Sequence, residues 1–87
     1  TYSEAMQPRY SNGDILYVDP TLTAMQGDDA ILLFQLDGRL VGIVREVVEM
    51  NEMQISVKDV KSNKTVKFSL TELYETHVIV GSQRRRG

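Results

Sequence analysis

An Asp-Gly pair sits between two apolar runs, "AILLFQL" from Ala30 to Leu36 and "RLVGIVREVV" from Arg39 to Val48. The favoured two-residue hairpin turn needs positive φ at both central residues. Gly adopts such angles freely and Asp tolerates them. Asp37-Gly38 therefore predicts a hairpin, with the second run returning beside the first as a strand rich in β-branched residues.

The same signals recur along the chain. Ile15 to Val18 follows a Gly13-Asp14 turn and stops at Asp19-Pro20. Glu49 to Glu52 reads as a turn. Gln54 to Val60 and Thr65 to Leu70 read as a further hairpin around Ser62-Asn63. Val66, Phe68 and Leu70 alternate with polar residues, which gives that strand one buried face. Thr71 to Glu75 has room for a single helical turn, with Thr71 as its cap. "THVIVG", Thr76 to Gly81, is the last strand. The fold class expected is all-β and mainly antiparallel: a small, twisted, partly closed β structure forming one domain over residues 1–87. The polar start, Thr1-Tyr2-Ser3, reads as a cut from a longer chain.

Composition narrows the chemistry. The 87 residues contain no cysteine and one histidine, His77. Disulfides, thiol catalysis and Cys-based zinc sites lack raw material, as does a cluster of histidine ligands. No cofactor or metal is expected. No apolar run approaches the ~20 residues that cross a bilayer as a helix, and no signal peptide is visible. Those absences fit a cytoplasmic protein with no membrane partner. Net charge is −2, but without Arg84, Arg85 and Arg86 seven basic residues face twelve acidic ones. Such a body repels nucleic-acid phosphates, and the arginine tail reads as a solvated terminus.

Four stretches in order carry a resemblance: "AMQPRYSNGDILYVDP", "GDDAILLF", "DGRLVGIVREV" and the terminal "VIVG". Together they resemble the C-terminal domain of LexA and the phage CI-type repressors over nearly the whole chain. The sharpest part is Met6-x-Pro8, then Gly13-Asp14, then an apolar strand ending in Val18-Asp19. The resemblance implies a transcription repressor in a bacterial host. Its N-terminal helix-turn-helix domain, absent from this chain, would bind operator DNA. Its C-terminal domain would form homodimers and higher oligomers for cooperative binding in lysogeny. Many family members also cut their own linker with a Ser-Lys dyad. The serine precedes the methionine of the first motif, and the lysine lies on the strand after the hairpin.

Here the serine position is Ala5, whose methyl group cannot attack a carbonyl. Ser3 and Ser11 are displaced by several ångströms, more than a nucleophile tolerates. Ungapped alignment puts the lysine position at Ile43, and a two-residue shift puts it at Arg45. Isoleucine has no base, and arginine stays protonated. The nearest lysine, Lys58, is on another strand. Loss of both members favours an oligomerisation domain that never used the dyad. The alternative is a self-cleaving repressor whose serine was mutated to Ala5. Without self-cleavage, release of repression would need an antirepressor protein or dilution.

Two features point to contacts. The run Val78 to Val80 is apolar on both faces, which favours self-association through Thr76, His77, Val78, Ile79 and Val80 over ordinary core packing. Arg45 shares a strand face with Val41, Ile43 and Val47. It either pairs with a carboxylate at an interface or, as the pattern favours, snorkels outward from an edge strand. Lys58, Lys61, Lys64 and Lys67 fall on alternating faces of a hairpin and at its turn, so they form no single patch. With no basic groove or aromatic platform, a small nucleic-acid-binding barrel is disfavoured. Asp28-Asp29 is a weak metal signal, because a strand sends adjacent carboxylates to opposite faces. His77 is expected to be packed or at an interface rather than catalytic.

Overall fold

The computed structural model describes residues 9–10 and 13–84. Six strands form one antiparallel sheet: β1 Ile15–Asp19, β2 Asp29–Leu36, β3 Arg39–Met50, β4 Gln54–Lys58, β5 Thr65–Ser69 and β6 Glu75–Gln83. The all-β, antiparallel expectation holds. In space the order is β1-β6-β2-β3-β4-β5, an open sheet with β1 and β5 at its edges.

The hairpin forms as its turn residues dictate. Asp37 and Gly38 have φ of 49° and 75°, and Leu36 pairs with Arg39. Asn63 takes positive φ in the β4–β5 turn, where Asp59 accepts bonds from the backbone N–H of Asn63 and the hydroxyl of Ser62. Several boundaries differ from expectation: β4 stops at Lys58, β5 stops at Ser69, and β6 runs from Glu75 to Gln83. β3 continues to Met50, because the turn is set by Asn51, whose side-chain oxygen accepts from the N–H groups of Met53 and Gln54. The single helical turn is a 3-10 turn at Leu70–Glu72, and its cap is Ser69 rather than Thr71. Ser69 has the extended backbone that a cap requires and accepts from the Thr71 N–H.

One face of the sheet carries the core: Ala30 and Leu32 of β2, Val47 of β3, Ile55 and Val57 of β4 and Val78 of β6, closed by Ala24. This face is concave. The rings of Phe34 on β2 and Phe68 on β5 meet edge to face with centroids 5.1 Å apart. Those strands are three positions apart in the sheet, about 14 Å if it were flat, at ~4.8 Å per strand. The sheet must curl for the rings to touch. The β3–β4 ladder shifts register between Val47 and Glu49, and an extra residue of this kind bends a strand and raises its local twist. Val66 is a partial exception to its expected buried face, since it remains half-exposed beside buried Val57.

Sheet order also changes how "VIV" is read. β6 lies between β1 and β2, so the last strand in sequence is interior in space. Val78 enters the core, Ile79 pairs with Val18, and Val80 is 58% exposed where the β1–β6 ladder shifts register.

Candidate functional site

Pairing fixes what each β3 residue faces. Ile43 lies opposite core residue Leu32, and Arg45 lies opposite Ala30. Both candidate lysine positions therefore project from the concave face, two residues apart. Ile43 packs against the core cluster. Arg45 reaches past it to Asp59, with Nε 3.0 Å from the Oδ1 atom, and its Nη1 donates to the Val44 carbonyl at 2.7 Å. β3 is an interior strand, so the expected edge position for Arg45 is corrected. Its guanidinium is satisfied within the chain because β4 brings Asp59 alongside.

A pocket of about 190 Å³ opens here, lined by Ile43, Arg45, Val57, Asp59, Lys64, Val66 and Phe68. Lys64 was not visible as a site residue in the sequence, because only the β4–β5 turn returns it to the rim beside Asp59. Lys58 lies elsewhere. It pairs in the ladder with Glu46, the residue after Arg45, and so projects from the opposite face. Chemically the pocket offers an apolar floor and a compensated ion pair. Ile43 and Arg45 give it no proton acceptor. Ala5, Met6, Pro8, Ser3 and Ser11 lie outside the described residues.

The opposite face carries a polar clamp. Asp29 of β2 and Glu46 of β3 are direct neighbours, and two carboxylates side by side need cations. Arg9 supplies one: its Nη1 contacts Asp29 and lies 2.9 Å from the Oε1 atom of Glu46. The Lys58 amine sits 3.4 Å from the other Glu46 oxygen. The Tyr10 hydroxyl donates to Asp29 at 2.7 Å. Desolvation works against the Arg9 charge, yet its bonds to Glu46 and Asp29 outweigh this and hold it protonated more firmly. Desolvation likewise raises the Glu46 carboxyl, but Arg9 and Lys58 override it and leave the group below its ordinary value. Burial, then the bond to Asp29 and its charge, push the Tyr10 phenol up to about 12. Arg9 and Tyr10 thus fasten the segment after Pro8 to the face away from Ile43 and Arg45. Neither residue stood out in the sequence, because their partners are about 20 and 37 positions away, a separation that carries no local pattern.

The remaining candidates are dispersed. His77 Nε2 lies 2.9 Å from a Glu75 oxygen, two residues back on the same face, and its buried Nδ1 has no partner among the described residues. Thr76, His77 and Ile79 are half-buried. Asp28 accepts from the Met25 N–H while Asp29 serves the clamp, so the two carboxylates act separately. Among the described residues no group of three or more His, Cys, Asp or Glu could hold a metal ion. No described helix is long and apolar enough to cross a membrane.

Comparison with protein-family models, curated proteins and solved structures returned no match.

Proposed function

We propose that this chain is the oligomerisation domain of a phage-type transcriptional repressor and has no self-cleavage activity. The observation that carries the reading is the fate of the two lysine positions. Ile43 packs against the core and Arg45 is paired with Asp59, so neither position offers the lysine base that the resemblance would require there. Ala5 removes the nucleophile from the sequence itself. Support for self-association comes from the apolar surface around β1 and β6, where Ile15, Tyr17, Val18 and Val80 are all exposed.

The function proposed is thermodynamic. Self-association would place two helix-turn-helix domains, carried elsewhere in a longer protein, on paired operator half-sites. Further association of dimers would raise the local concentration at neighbouring operators without new DNA contacts. Release would then fall to an antirepressor or to dilution in the cytoplasm of the bacterial host.

Sedimentation of the chain over a range of concentrations tests the assembly. Mass should rise with concentration, and a monomer at high micromolar concentration refutes it. Ala5→Ser in a longer chain that includes the linker tests the dead site. The linker should stay intact at high pH, where a lysine base would be neutral. Cleavage would instead favour a mutated self-cleaving repressor.

A further inference from the structure

The two edges of the sheet are protected differently. β5 ends one side, and lysines guard it: Lys67 within the strand and Lys64 just before it, both exposed. Edge lysines deter pairing with another chain, because a neighbouring strand would have to desolvate or accommodate their charge. β1 ends the other side, and its one charge, Asp19, stands at the strand's end. Its sequence, Ile-Leu-Tyr-Val-Asp, has no lysine, arginine or internal proline. Ile15, Tyr17 and Val18 are 45%, 49% and 38% exposed. No described strand lies beyond it.

We infer that β1 is the self-association strand, pairing antiparallel with β1 of a second copy across a two-fold axis at Tyr17. This deepens the oligomerisation reading above and rests on it. The occupant follows from the sequence of the edge. Centred on Tyr17, the antiparallel register overlaps all five residues. Leu16 then faces the second copy's Val18, Ile15 faces the second copy's Asp19, and Tyr17 faces its own counterpart. In this register neither Asp14 nor Asp19 has a like charge directly opposite it. A head-to-tail arrangement would instead set β1 against the lysine edge of β5 and grow into a fibre. That route leaves an open edge at each end, whereas the two-fold pairing closes on itself. Val80, on the neighbouring strand, extends the apolar surface next to the seam. A five-residue edge buries less than the ~800 Å² per partner of a standard interface. The dimer should therefore be a weak one, dissociating in the micromolar rather than the nanomolar range.

The absence of cysteine makes a direct test possible. Tyr17→Cys introduces a single thiol. Directly opposed antiparallel residues have Cα atoms about 4.5–5.5 Å apart, inside the ~4.4–6.8 Å range that a disulfide spans. Under mild oxidation at dimer-forming concentration, this variant should cross-link at least about tenfold faster than Met53→Cys. Met53 is 76% exposed in the β3–β4 turn, away from β1. In the cysteine-free background, Ile15→Lys gives the edge the guard it lacks and should raise the dissociation constant at least about tenfold, while Val66→Lys on β5 should not. If the chain sediments as a dimer but neither β1 variant behaves as stated, the edge assignment is overturned and the oligomerisation reading stands. If the unmodified chain stays monomeric, both fall.

Discussion

Leu32 and Leu36 sit four residues apart on β2 and project to the same face, yet the fold treats them differently. Leu32 is 0% exposed and Leu36 is 58% exposed. Leu32 lies between Ile43 on β3 and Thr76 on β6, inside the buried cluster. Leu32→Ala removes about three methylene equivalents, ~2.4 kcal/mol of transfer free energy at ~0.8 kcal/mol each. The residual cavity adds to this, so the expected loss is about 3–4 kcal/mol. A domain of this length has roughly 4–13 kcal/mol in total, so the variant should fall by about 12–30 °C in Tm. Leu36→Ala should change stability by no more than about 0.5 kcal/mol. Urea unfolding followed by circular dichroism measures both. The comparison must be made at one protein concentration, because self-association would add to apparent stability. Equal losses at the two positions, or a loss below about 1 kcal/mol at Leu32, would refute the concave core.

The clamp makes the acid limb of the stability profile specific. Because the Glu46 carboxyl is lowered in the folded chain, its contribution is present above the unfolded value and lost as pH falls through the folded one. Glu46→Gln should flatten that limb, and an unchanged acid slope would contradict the clamp. Tyr10 runs the other way. Its phenol is raised to about 12, so its contribution is present below the unfolded value and lost as pH rises through the folded one. Ultraviolet titration should show late ionisation that Tyr10→Phe removes, and Asp29→Asn should bring it earlier. At the pocket, Asp59→Ala leaves the partly covered Arg45 guanidinium without its partner and should cost about 1–2 kcal/mol. Arg45→Met combined with Asp59→Leu should recover most of that loss in urea unfolding. Identical stability of the single and double variants would show that the pair is immaterial.

Strand positions, the Asp37-Gly38 and Ser62-Asn63 turns and the antiparallel class were legible in the residues themselves. They depend on local backbone preference and alternation, which a short window contains. The chemistry of single side chains was legible too. Ala5, Ile43 and Arg45 show by residue type that they lack a nucleophile and a neutral base. What local pattern does not contain is which strands become neighbours. β6 enters between β1 and β2 because that order lets Val78 join Ala30 and Leu32 in one core. An apolar "VIV" near the end of the sequence therefore became an interior strand with one buried valine. The same non-local pairing chose Asp59 for Arg45, Asp29 and Glu46 for Arg9, and Lys64 for the pocket rim. It also decided that β1 would remain an apolar edge while β5 kept the lysines. Sequence determined which residues could form strands and which chemistry they lacked. Tertiary structure decided which of those strands would be covered, because burial is a property of the whole sheet and not of any one segment.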